Sequence, residues 1–169
     1  MRGMARDQIT LSQKVHLWLR AGGHTVATAE SLTGGQLAVR FTETPGASET
    51  YLGGVVTYAT ALKQSLLDVD DAIVEKHGVV SAECARAMAS GVKALTGASY
   101  GVATTGVAGP SEQEGKAPGT VFVGIAGPGV VEAVALELPG DRAEVTGRTC
   151  DEALSALADI LAREEEGLG

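Results

Sequence analysis

The chain has 169 residues, a length that suits one domain burying about two-thirds of its unfolded surface. Its net charge of −8, with no Lys/Arg cluster, excludes a duplex-binding face but leaves a small nucleotide open as a partner. No run of about 18 apolar residues occurs and MRGMARDQIT lacks an apolar signal core, so no membrane contact and a cytoplasmic location are expected.

Aromatics are only 4% and glycines number 23, so the core must be Ala, Val and Leu, with close helix–sheet packing. Residues 1–9 read as a loose leader. Thr10 and Gln13 form a capping box; Leu11, Val15, Trp18 and Leu19 follow at helical spacing up to Gly22-Gly23. Residues 25–29 read as a short buried strand. Thr28-Ala29-Glu30-Ser31-Leu32-Thr33-Gly34-Gly35 then reads as strand, tight turn and helix start, with Thr33 as N-cap of a helix over 34–42. Gly34 and Gly35 would leave the first helical N–H groups uncovered. That is an electropositive cup for an oxyanion or phosphate, with Glu30 and Ser31 at its lip.

Thr44 to Ser48 is a turn cluster. Leu52 to Tyr58 is the next strand, whose two glycines signal close approach of a backbone or ligand. Thr60 opens a short helix with Leu62, Leu66 and Leu67 that carries Lys63, and Asp70–His77 is a second, ended by Gly78. Ser81 caps a helix over 82–96 with Ala85, Met88, Ala89 and Val92 on one face. Residues 99–105 form a strand. The loop over 106–118 is too polar and too rich in Gly and Pro to be regular, and such a length is often functional. Strands over 119–126 and 130–138 make a hairpin at Pro128-Gly129, the second with one face toward water. The last helix begins near Asp141 with a stripe of Cys150, Leu154, Leu157, Ala158 and Leu161. Residues 164–169 read as a solvated tail, which leaves 10–163 as the domain. This order predicts a single three-layer α/β/α domain, its sheet mostly parallel with an antiparallel hairpin addition.

In such sheets ligands bind beyond the carboxyl ends of the strands. Glu30-Ser31, Thr57-Tyr58 and Thr104-Thr105-Gly106 converge there, and Lys63 can fold back toward them. A serine, a lysine and a tyrosine together can hydrolyse an acyl group without a metal, the neutral amine acting as base for the serine. Burial or a positive neighbour must then pull the lysine below its ordinary pKa of about 10.4. Taken singly, Ser31 is a turn-former, Lys63 a solvated helix lysine, Tyr58 a core-edge ring and the glycine pair plain clearance. Ser90 and Lys93 match the S-x-x-K string, but late in a helix. His16, His24 and His77 lie in separate elements, which favours surface or capping roles over a triad. Cys84 and Cys150 read as buried small hydrophobes. Without an HExxH, a paired CxxC or a carboxylate–histidine cluster, no metal is expected.

Further strings recur in order: Ala29-Glu30-Ser31-x-Thr33-Gly34-Gly35, Thr44-Pro45-Gly46-Ala47-Ser48 and Tyr51-Leu52-Gly53-Gly54-Val55-Val56-x-Tyr58; then Lys63 with Leu66-Leu67, Gly78-Val79-Val80-Ser81, Thr105-Gly106-x-Ala108-Gly109-Pro110, Pro118-Gly119-Thr120-Val121 and Pro139-Gly140-Asp141-Arg142. Together they resemble the C-terminal domain of the competence/damage-inducible protein CinA, the nicotinamide-nucleotide amidohydrolase (PncC) family, in its stand-alone form. The resemblance implies hydrolysis of the carboxamide of nicotinamide mononucleotide, no metal or organic cofactor, and a homodimer or other homo-oligomer. It implies Ser31 as nucleophile, Tyr58 and Lys63 in proton transfer, and Glu30, Thr33, Gly34, Gly35, Ser48, Thr105 and Gly106 around the substrate. Within that set, chemistry divides the roles: Lys63 as base, Tyr58 as relay, backbone N–H groups at Thr33 to Gly35 for the oxyanion. Thr105-Gly106 and Arg142 are candidates for the substrate's phosphate. The chain departs from the family pattern at Leu32, usually small, in the loop after Pro110, and near Val145-Thr146, where an arginine is usual. The alternative to an enzyme is a non-catalytic nucleotide-binding or competence/DNA-damage-linked regulatory module.

Overall fold

A computed structural model describes residues 9–167. The expected leader therefore lies outside the described residues except for Ile9. Helix α1 (Leu11–Gly22) starts at the capping box: Thr10 accepts from Gln13 N–H while the Gln13 side chain accepts from Thr10 N–H. It ends at Gly23, whose left-handed φ of 69° suits glycine. Then follow β1 (Val26–Glu30), α2 (Gln36–Thr42), a single 3₁₀ turn (Ala47–Glu49) and β2 (Tyr51–Val56). Three helices come next: α3 (Thr60–Leu67), α4 (Asp71–His77) and α5 (Ala82–Thr96). Strands β3 (Tyr100–Gly106), β4 (Thr120–Gly127) and β5 (Val130–Glu137) complete the sheet, and α6 (Arg142–Gly167) is the last described element.

The sheet order is β2-β1-β3-β4-β5, with β1 parallel to both β2 and β3 and the β3-β4 and β4-β5 pairs antiparallel. The chain leaves β1 to one side for β2 and returns to its other side for β3. The crevice beyond β1 is therefore the switch point of the sheet, where ligands bind in open α/β folds.

Strand alternation sorts the core into two layers. On one face Val26, Tyr100, Val102, Val123 and Ile125 pack under α1, α2 and α6 through Val15, Leu19, Leu37, Phe41, Leu154 and Leu157. On the other, Ala27, Ala29 and Ala103 meet α5 and its approach through Cys84, Met88, Ala89, Val92 and Val80. Helix α5 lies directly on the sheet because Gly101 and Gly124 have no Cβ; one there would overlap the carbonyls of Ala89 and Ala85.

Four details differ from the sequence expectations. In α3 the leucines at 62 and 66 are exposed, while Lys63 and Leu67, one turn apart, face inward. On the edge strand β5, Val131 and Val134 remain exposed, because an edge strand has a neighbouring strand on one side only. Helix α6 runs through the expected tail to Gly167, and Glu164 accepts from the hydroxyl of fully buried Tyr100. His16 is buried, its Nδ1 2.8 Å from Thr50 Oγ1, rather than at the surface. Both cysteines are free and buried; burial pushes the Cys84 thiol up to about 11 and the Cys150 thiol up to about 12, so both are inert. Among the described residues, no helix is long and apolar enough to cross a membrane.

Candidate active site

The carboxyl end of β1 carries Glu30 and Ser31, and the two side chains take opposite duties. Glu30 does not sit at a pocket lip. It is 1% exposed, and its Oε1 accepts from Leu37 N–H at 2.7 Å and Thr33 Oγ1 at 2.6 Å, its Oε2 from Ala38 N–H at 3.2 Å. The strand thus caps the helix that follows it, with a carboxylate at the positive end of α2. Thr33 is consequently not the N-cap; Gly35 holds that position with φ 107° and no side-chain cap. Thr33 is fully buried, bridging Glu30 and Thr104 Oγ1 (2.8 Å), and Thr104 in turn lies 3.4 Å from Ser31 N–H. The anion cup expected at this helix start is filled by the protein's own side chain. Glu30→Ala leaves the Leu37 and Ala38 N–H groups unpaired and the Thr33 hydroxyl with Thr104 alone. It is expected to lower the unfolding free energy by about 3 kcal/mol in urea denaturation, and Glu30→Gln by less.

Lys63 approaches Ser31 from α3. Its Nζ lies 2.9 Å from Ser31 Oγ, 2.7 Å from the Thr57 carbonyl and 3.2 Å from the Tyr58 carbonyl. Lys63 is 1% exposed and joins none of the ion pairs among the described residues. Burial pushes its pKa down, while Cys84 and Glu114 act weakly the other way. The geometry suits the neutral amine: two N–H groups serve the two carbonyls and the lone pair is left for the Ser31 hydroxyl proton. This is an activated-nucleophile arrangement without histidine.

These groups open into a cavity of about 300 Å³, whose lining includes Ser31, Tyr58, Lys63, Thr105, Gly106 and Arg142. Tyr58 is 60% exposed, and its hydroxyl accepts from Arg142 Nη1 at 3.4 Å; only its backbone carbonyl meets Lys63. The expected relay through the phenol therefore has no hydrogen bond to carry it. Thr105 donates its hydroxyl to the Val79 carbonyl at 2.7 Å, and thereby ties β3 to the approach of α5. Gly34 and Gly35 fall outside the cavity lining, as does exposed Ser48 in the 3₁₀ turn. Gly34 N–H donates to the Ser31 carbonyl. Among the described residues the N–H groups of Leu32, Thr33 and Gly35 have no partner, and of these three residues only Leu32 lines the cavity, Thr33 being fully buried.

Two departures from the family pattern meet in space. Leu32 is buried in one cluster with Ala108, Val121 and Val145, so the larger residue at 32 packs against the apolar one at 145. Sequence reasoning placed Thr104 at the converging strand ends without giving it a role, and gave none to Val79 and Val80, because apolar residues before a helix read as core.

The chain matches the CinA C-terminal domain over residues 8–161. It is 48% identical to a CinA-like protein of Frankia casuarinae over 138 residues, which cover 82% of this chain and 32% of that protein. It is 44% identical over 161 residues to a Halalkalibacterium halodurans protein whose name carries the words competence-damage inducible, covering 95% of this chain and 38% of the relative. The chain thus spans roughly a third of the length of these curated relatives. Among solved structures, a CinA superfamily protein from Klebsiella pneumoniae superposes with a TM-score of 0.88 at 33% identity, covering 90% of this chain and 96% of that one. Another from Escherichia coli gives 0.85 at 28% identity, covering 93% and 94%. On this match and on the shared fold, the chain belongs to the CinA C-terminal domain family.

Proposed function

We propose that the chain hydrolyses the carboxamide of nicotinamide mononucleotide to nicotinate mononucleotide and ammonia. The observation that carries the proposal is the buried Lys63 Nζ, 2.9 Å from Ser31 Oγ and held by two carbonyls. Ser31 Oγ attacks the amide carbon as its proton passes to Lys63. The tetrahedral oxyanion finds a donor in the free N–H group of Leu32, on the cavity lining. Lys63 returns the proton to the departing nitrogen, and ammonia leaves. Water, deprotonated by Lys63, then cleaves the Ser31 ester and releases the acid. Arg142, at the start of α6 and on the cavity wall with Tyr58, is the cation this reading assigns to the substrate's phosphate.

The test is ammonia release from nicotinamide mononucleotide by the wild-type chain across pH. The base must be neutral, so kcat/KM rises with pH through the Lys63 pKa. Because burial lowers that pKa, the limb lies below the ordinary lysine value of about 10.4. A rate that falls across this limb, or no ammonia at any pH, sinks the proposal.

A further inference from the structure

One wall of the cavity comes from residues 111–113, in a turn that no regular element holds. The turn is closed by a bridge: Gln113 N–H donates to the Lys116 carbonyl at 3.1 Å and Lys116 N–H to the Gln113 carbonyl at 2.9 Å. At its tip Glu114 adopts a left-handed backbone, φ 54°, a conformation costly for a residue with a Cβ. The side chain shows what that conformation serves. Glu114 Oε1 accepts from the successive N–H groups of Val79 (3.1 Å) and Val80 (3.0 Å), both in the lining of the same cavity. Gly78 makes room, since a Cβ there would overlap Glu114 Oε2. Lys116 donates to the Val80 carbonyl alongside. Two consecutive N–H groups around one carboxylate oxygen form an anion nest, which the protein fills from its own loop.

We propose that Glu114 is a positioning residue: it pins the 111–116 turn to Val79 and Val80, so that Ser111, Glu112 and Gln113 stand as a fixed wall for the part of the substrate remote from the amide. That wall carries a hydroxyl, a carboxylate and a carboxamide, groups that suit the hydroxyls of a sugar. Glu114 touches no reacting atom. For its substrate the proposal rests on the amidase reading above. Releasing the turn makes its ordering part of the cost of binding, so affinity falls while chemistry continues.

The experiment compares wild type, Glu114→Ala and Glu114→Gln. In Glu114→Ala the KM for nicotinamide mononucleotide is expected to rise roughly tenfold with kcat within about threefold. Glutamine keeps an acceptor oxygen for both N–H groups, so Glu114→Gln restores KM to within about threefold. Amide exchange at Val79 and Val80 speeds up in the alanine variant only. An unchanged KM in Glu114→Ala, a fall in kcat matching that in kcat/KM, or a glutamine variant indistinguishable from alanine overturns the proposal. A wild type that releases no ammonia sinks the amidase reading by itself. The comparison then moves to the dissociation constant of nicotinamide mononucleotide by calorimetry, where an unweakened alanine variant, or no binding by wild type, overturns the positioning role.

Discussion

Ser31→Ala is expected to lower kcat for ammonia release by roughly 10⁴-fold or more while leaving the affinity for nicotinamide mononucleotide within about threefold. The methyl group cannot form the ester, so the two-step route is lost and only water attack on the bound amide remains. The unpartnered N–H group of Leu32 still stands beside the site and accounts for what residual rate persists. The fold is not at stake. The serine hydroxyl's partner is Lys63, which keeps the Thr57 and Tyr58 carbonyls as acceptors. Quantifying ammonia and product under single turnover checks the claim. Wild-type turnover retained by Ser31→Ala would remove the serine from the reaction.

Lys63→Met is expected to cost roughly 10³-fold in kcat/KM near neutral pH and to replace the levelling limb expected of wild type with a rise that shows no plateau. Methionine preserves the length and the packing of the stem beneath α5 but offers no proton acceptor. Solvent hydroxide is then the available base, so the residual rate follows hydroxide concentration rather than a titrating group. Stability moves differently from activity. A nearly fully buried lysine outside every ion pair among the described residues is an electrostatic burden, which methionine relieves. Against this, the Thr57 and Tyr58 carbonyls lose a donor. The two effects oppose, so unfolding free energy is expected to stay within about 1 kcal/mol of wild type in urea. A variant keeping more than about a tenth of wild-type activity excludes Lys63 as the base. An inactive variant that also melts far below wild type attributes the loss to folding.

The fold was legible wherever its signals are local. The Thr10–Gln13 box, the Ser81 cap bonded to Cys84 N–H, the glycine stops at 23 and 97, and the α5 face from Ala85 to Val92 all formed as spaced. Each depends on contacts within about one helical turn, where backbone geometry and side-chain chemistry decide the outcome together. In α3 the same reasoning misplaced the buried face. Its hydrophobic periodicity marks leucines, yet the helix lies at the sheet edge, and what the site required inward was Lys63. Around Ser31 the turn chemistry suggested a threonine cap, but a carboxylate reaching back from the strand outcompeted the hydroxyl with two N–H groups to satisfy.

The amino-acid sequence by itself determined the order of elements, the α/β class and the meeting of Lys63 with Ser31, because capping, periodicity and strand order act over short separations and place the strand ends together. Tertiary structure decided three things. The helix N-terminus went to Glu30 rather than to a ligand, the Tyr58 hydroxyl went to Arg142 rather than to Lys63, and the 111–116 turn was tied to Val79 and Val80 through Glu114. Each outcome is a competition among donors and acceptors brought together by folding. Spacing along the chain carries no measure of which partner stands nearest once water is excluded.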